Sequence, residues 1–299
     1  MQHAASVCAL TLLQEHRATE LQARVKRELV EGLLLGRPDE AQTLESARLL
    51  GLDVGAGEHR VLAIAPVRDA GPEGGATEAG RSDVDRHILD ALALSLDLSA
   101  PGVVAVARGD CVTVILPLVP GGPAGSAEGS AGDLHRELPA FLQHRLPAMR
   151  FTIGMSRSID HPRLLPRAHE EARRALALAT VLGRLGEVVS FEDLGIYRLL
   201  SNVGIEHLRG FVDEVLGPAI AYDRGHSSRL VETLDAYLRA NSSSRHAASR
   251  LFVHVNTVTY RVRRAETIIG RKMDDADDRL LVLTALKVLD LVEGEQRGE

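Results

Sequence analysis

The sequence predicts an α+β protein: connector helices at the N-terminus, a central α/β region built on a mixed sheet, and an all-α C-terminal part. Three observations carry this. Short apolar runs of strand length fall between residues 60 and 191, and they alternate with helical patterns in the order βαββαβαβ. That alternation calls for one sheet with helices packed against it. After Asp193 every periodic segment is helical. The 299 residues leave room for two domains at roughly 150 residues each, with space for a small third part.

Taken in order, residues 6–36 read as a long helix, because Leu21, Val25, Leu29 and Leu33 recur every four residues. The run Gly36-Arg37-Pro38-Asp39 ends it, glycine first and proline after. A second helix is expected over 39–50, up to Gly51. Val61 to Val67 is an apolar run short enough for a buried strand. Ala70 to Ser82, rich in glycine and acid, reads as a mobile loop before a helix over 83–97. The runs Gly102–Ala107 and Val112–Leu118, with Arg108-Gly109-Asp110 between them, predict a hairpin joined by a tight Gly-Asp turn. Pro120 to Gly132 is low-complexity and reads as flexible. Both loops are expected to be dispensable for folding, since loop length costs stability only slowly. A helix over 133–145, a strand over 149–154, a helix from Pro166 to Leu182 and a short strand from Val188 to Phe191 complete the region.

Composition narrows the class. The chain is 45% hydrophobic and 25% charged, as soluble globular proteins are. No apolar run reaches the roughly 18 residues of a membrane span, and no cationic region precedes the short apolar stretch at the start. The two cysteines, Cys8 and Cys111, lack metal-ligand spacing. The expectation is a reduced, cytoplasmic protein with no disulfide, no metal and no cofactor. The net charge of −6 speaks against nucleic acid, but the charge is uneven. Ser243 to Lys272 holds seven Arg or Lys (Arg245, Arg250, Arg261, Arg263, Arg264, Arg271, Lys272) and one acid, Glu266, so this window is +6 and the rest sums to −12. Salt screens distant acids within about 10 Å, so a local basic patch still attracts phosphates. Charge alone equally suits a solvated helix face.

Residues 228–299 hold the sharpest pattern. A helix from Ser228 to Arg239 keeps Leu230, Leu234 and Leu238 on one face. Asn241-Ser242-Ser243-Ser244 offers several N-caps. A short helix, Arg245 to Leu251, and a turn, Phe252 to Val255, follow; Asn256 is then expected to cap a helix from Thr257 to about Ile269. Two short helices joined by a tight turn, the second one basic, make the helix-turn-helix pattern. Ala247 and Ala248 permit close helix approach, and Val258, Val262, Ala265 and Ile269 form one apolar stripe. Away from it lie Thr257, Thr259, Tyr260, Arg261, Arg263 and Arg264. Thr257, Thr259, Tyr260 and Arg263 are candidates for base edges in a major groove, with Arg263 suited to guanine. Arg261, Arg264 and Arg245 are candidates for phosphate. The bland alternative is a three-helix bundle with a basic surface.

The segment 230–291 resembles the C-terminal DNA-binding domain of the PucR/CdaR family of bacterial transcriptional regulators. The matching residues are His254-Val255-Asn256-Thr257-Val258, Tyr260-Arg261-Val262-Arg263-Arg264, Gly270 and Asp277-Asp278-Arg279-Leu280. The resemblance adds His254 and Asn256 to the DNA-binding set and implies double-stranded DNA as partner. It departs at Val255, where the family usually has Arg, which removes one phosphate or base contact. Segment 154–200 resembles the end of the family's GGDEF-like domain. The turn Arg108-Gly109-Asp110-Cys111 sits where a diguanylate cyclase carries its Gly-Gly-Asp-Glu-Phe turn. Cyclization needs paired carboxylates for Mg²⁺ and a glycine turn beside the phosphates. Here Arg108 replaces the first Gly and Cys111 the acid, so no enzymatic activity is expected. Helix 6–36 resembles the connector that follows a sensor domain, and the chain begins inside what resembles that sensor's last helix, Ala4 to His16.

The resulting division is 1–55 connector helices, 56–195 degenerate GGDEF-like domain, 196–227 helical linker and 228–299 helix-turn-helix domain. The reading is a sequence-specific regulator of metabolic or secondary-metabolite genes, a homodimer answering to a small-molecule effector, with no membrane partner. Two rivals are a nucleotide-sensing or enzymatic GGDEF-like protein and an interaction module that does not bind DNA.

Overall fold

The computed structural model describes residues 25, 28–36, 40–49, 57–67, 90, 92–93, 103–118, 134–147, 149–226 and 228–298. The loops expected over 70–82 and 120–132, and most of the helices expected over 6–36 and 83–97, lie outside them. Contacts divide the chain into two compact units, 1–180 with 184–194 and 181–183 with 195–299.

The first unit holds helices α1 (28–34), α2 (Glu40–Leu49), α3 (Leu134–Arg145) and α4 (Leu165–Val181). Its five strands are β1 (Glu58–Pro66), β2 (Val104–Arg108), β3 (Cys111–Leu118), β4 (Phe151–Met155) and β5 (Val188–Ser190), in the sheet order β2-β3-β1-β4-β5. All neighbours are antiparallel except β4 and β5, so the sheet is mixed, as expected. Residues 28–34 are helical and Gly36 closes the segment at φ +69, so this end falls where the sequence puts it.

Both faces of the sheet are covered, which explains why the strands read as continuous apolar runs. Val61, Ala63, Val104, Val106 and Ile115 face α1, α2 and α4. Leu62, Ile64, Val112, Val114 and Ile153 face α3, Leu92 and Ala93. Helix α4 lies close on its face through Ala168, Ala172 and Leu176. Gly154 of β4 makes that approach possible: a Cβ there would sit 2.2 Å from the Ala172 carbonyl oxygen and 2.4 Å from the Leu176 nitrogen. Beside it, Ser156 Oγ accepts the Val61 N–H at 2.9 Å, and Glu171, 6% exposed, is paired by Arg157 and Arg167. Burial raises the Glu171 carboxyl, but the Arg157 hydrogen bonds outweigh it and hold the group below its ordinary range.

The hairpin turn is the tight Gly-Asp turn that the sequence predicts. Arg108 and Cys111 are opposed in the ladder, and only Gly109 and Asp110 form the turn. Gly109 has φ +62 while Asp110 stays at negative φ, the pattern of a turn with glycine first. Arg108 lies in the strand, and its Nη1 donates to His169 Nε2 at 3.2 Å; Asp110 pairs with Arg173 at 3.5 Å. Both partners sit on α4. His169 is buried, and burial together with the charges of Arg108 and Arg173 depresses its pKa to about 4. In the unfolded chain its imidazole titrates near 6.5. The unfolded state therefore binds more protons between those values, so this stability is complete above about pH 6.5 and is lost as pH falls towards 4. The loss is on the order of 2–3 kcal/mol. Urea unfolding of the wild type and His169→Asn at pH 7 and pH 4.5 tests this; the variant should show a smaller drop on acidification.

The second unit is helical throughout: α5 (Tyr197–Leu200), α6 (Ile205–Val215), α7 (Gly217–His226), α8 (Leu230–Arg239), α9 (Ser244–Leu251), α10 (Val255–Ile269) and α11 (Ala276–Gly298). Its core is Leu230, Leu234, Ala247, Val258, Ala265, Val282 and Leu286. Tyr197 on α5 donates to Asp290 Oδ2 on α11 at 2.8 Å, and Arg239 of α8 donates to the same oxygen at 2.9 Å. Among the described residues, no helix is long and apolar enough to cross a membrane.

Candidate nucleic-acid interface

Helices α9 and α10, joined by the turn Phe252–His254, pack on α8. Helix α8 starts without a conventional cap, since Arg229 is in the left-handed region at φ 53. Asp223 of α7 supplies the cap instead: its carboxylate accepts from Leu230 N at 2.7 Å, Val231 N at 3.0 Å and the Ser228 hydroxyl at 2.6 Å. Of the four residues in the following loop, Ser243 is the N-cap of α9, accepting from His246 N. Fully buried Ala247 and Ala248 bring α9 against α10.

The start of α10 corrects the expectation from sequence. Asn256 does not cap the helix. His254 does, its Nδ1 accepting from Asn256 N at 3.2 Å. The helix therefore begins at Val255, two residues early, and Asn256 stands in its first turn with an exposed side chain. The histidine ring mimics the short oxygen acceptors that usually cap helices, which is why propensity favoured Asn256.

The buried stripe is Val258, Val262 and Ala265, as expected, with Ile269 half-buried. At about 100° per residue, the direction opposite this stripe passes through Asn256, Tyr260 and Arg263. Their exposure agrees: all three are exposed, Tyr260 at 67%. Thr257, Thr259 and Arg261 are half-buried at the margins of that face. The Thr259 hydroxyl donates back to the Val255 carbonyl at 3.2 Å, leaving its lone pairs outward. The guanidinium of Arg264 lies 5.0 Å from the centre of the Tyr222 ring on α7. Arg245 is exposed in the first turn of α9. So one face holds Asn256, Tyr260 and Arg263, and Arg264 is turned to a neighbouring helix.

Two exposed apolar groups stand at this turn. Phe252 caps α9 in the left-handed region at φ 54 and is 94% exposed. Val255 is 36% exposed at the first position of α10. The family resemblance singles out Val255, whereas Phe252 carries no local pattern that marks it; exposure is a property of the assembled turn. At its far end α10 closes on Gly270 at φ 68, and Glu266 accepts from Met273 N at 2.8 Å. Asp275 caps α11, accepting from the Asp277 and Asp278 amides.

A three-helix core, a turn between two helices in tight contact, and an exposed polar face on the second of them define a helix-turn-helix protein. Residues 230–288 match the family model of the PucR C-terminal helix-turn-helix domain, and residues 35–178 match that of the GGDEF-like domain. The chain belongs to the PucR/CdaR family of regulators. It is 25% identical over 289 residues to the carbohydrate diacid regulator of Escherichia coli (strain K12), covering 93% of this chain and 69% of that protein. It is 31% identical over 100 residues to the DNA-binding transcriptional activator AdeR of Bacillus subtilis (strain 168), covering 33% of this chain and 24% of the relative. The proline-responsive transcriptional activator PutR of the same organism is 29% identical over 146 residues, which is 48% of this chain and 35% of PutR. The chain thus spans less than two thirds of the length of the two Bacillus relatives.

Proposed function

We propose that this chain is a DNA-binding transcriptional regulator that reads double-stranded DNA with α10. The observation that carries it is the convergence of Asn256, Tyr260 and Arg263 on the exposed face of a helix whose other face is buried. Side chains in the first two turns of such a helix reach base edges in a major groove. Asn256 has the donor–acceptor pair that matches adenine, and Arg263 the fork that matches guanine. Thr257 and Thr259 flank them, Arg261 and Arg264 lie to the sides, and His254 and Arg245 stand at the starts of their helices for phosphate contact. One such unit buries modest area, so two half-sites and a homodimer are expected. The working division is 1–55, 56–195, 196–227 and 228–299, and the site of action is the cytoplasm.

Binding to a pool of genomic fragments, followed by sequencing of the retained DNA, tests this. A shared motif with two related half-sites is expected. Retention of all fragments alike, with no enriched motif, would sink the reading.

The GGDEF-like domain is read as non-catalytic. Arg108 stands where the family of cyclases has glycine and reaches back to His169, and Cys111 stands where they have an acid. Burial pushes the Cys111 thiol up, so it offers no anionic ligand for Mg²⁺. GTP and Mg²⁺ are expected to yield no cyclic product; steady turnover abolished by Asp110→Ala would overturn this.

A further inference from the structure

We propose that the cavity between α6, α7, α8 and α11 binds a small zwitterion with an apolar body, such as an apolar amino acid, and that this ligand acts on the DNA-reading helix through α7. The cavity holds about 620 Å³, within the range of small-molecule sites, and adjoins a second of about 650 Å³. Its apolar lining includes Val212, Ile220, Val231 and Leu289, so it suits an apolar group. Its charged lining is Arg209 and Arg224 with Asp213, Asp223 and Glu293, so both signs of charge are present. Arg209 donates Nη1 to Glu206 at 2.9 Å, while its Nε is buried and has no hydrogen-bond partner. That Nε is closed off from the cavity, so the groups that can meet a ligand carboxylate are the outer guanidinium nitrogens of Arg209, which is 37% exposed, together with Arg224 on the same lining. Asp213 lies one turn along the same helix and suits a ligand ammonium. Asp223 also lines the cavity but is engaged in capping α8.

The link to DNA is a single helix. α7 presents Ile220 and Arg224 to the cavity, and between them Tyr222 receives Arg264 of α10 on its ring. The same tyrosine stacks on His226, with centroids 4.1 Å apart. A ligand that moves α7 therefore moves the platform under Arg264. This half of the proposal rests on the DNA-binding reading above; ligand binding itself does not.

The test uses the full chain and three probes: L-phenylalanine, its amide and its N-acetyl derivative. Binding is read first without DNA, by saturation-transfer NMR and by the shift in melting temperature. L-phenylalanine is expected to bind, and both derivatives at least about tenfold more weakly, each lacking one charge-assisted hydrogen bond. Arg209→Gln should lose the same factor, and Ile220→Trp, which narrows the cavity at its apolar lining, should weaken binding at least as much. No binding by L-phenylalanine at millimolar concentration, or binding indifferent to both variants, overturns the site. N-acetyl-phenylalanine binding equally well overturns the ammonium contact. Titration with DNA then reads the link: a shift in affinity on adding L-phenylalanine, absent in Arg209→Gln, supports it, and ligand binding with unchanged DNA affinity overturns it. Failure to bind DNA at all would instead sink the regulator reading, with the ligand result standing.

Discussion

Gly154→Ala is expected to destabilise the sheet unit by about 3 kcal/mol. Position 154 faces α4 from β4, and the added methyl would lie 2.2 Å from one backbone atom and 2.4 Å from another. These neighbours belong to the middle of a buried helix, so neither can rotate away as a side chain would. The helix must lift, and the contacts of Ala168, Ala172 and Leu176 with the sheet loosen together. Gly109→Ala is the control. It has φ +62 but nothing within 4 Å of the added Cβ, so its cost is the left-handed strain alone, roughly 1–2 kcal/mol. Urea denaturation of both variants should rank Gly154→Ala well below Gly109→Ala; equal midpoints would show that α4 does not rest on this glycine.

Arg263→Ala is expected to cost about 1–3 kcal/mol on the cognate site and to relax base preference at one position. Arg263 stands on the exposed centre of α10, where its fork is free to meet a base. Arg264→Ala is expected to weaken cognate and scrambled DNA alike and to lower the salt slope by about one. Its guanidinium lies over the Tyr222 ring, at the side of the reading face, where a flanking phosphate is the natural partner. Loss of that stacking should also lower thermal stability by roughly 0.5–1 kcal/mol. Salt titrations on both DNAs separate the two variants. Parent-like binding by both would reduce the basic face to solvated surface.

Much of this was legible locally. Strands buried on both faces announce themselves as unbroken apolar runs, as β1 and β3 do. The stripe of Val258, Val262 and Ala265 follows from helical period, and the helix-turn-helix from two such helices at close spacing. Turn glycines such as Gly36, Gly109 and Gly270 mark places where glycine enters positive φ without the strain a Cβ adds. Each of these signals involves residues a few positions apart, and so short-range stereochemistry decides them. What needed the folded chain is the path of a turn or a meeting of separate elements. His254 displaced Asn256 as cap because the turn before α10 swings its ring onto the Asn256 amide. Asp223 caps α8 from the preceding helix, Arg108 finds His169 on α4, and Arg264 finds Tyr222 on α7. Periodicity tells which face of a helix is buried, but not what it is buried against; that depends on how helices and sheet close on one another, and burial itself then sets which charges pair and which groups remain free to meet DNA.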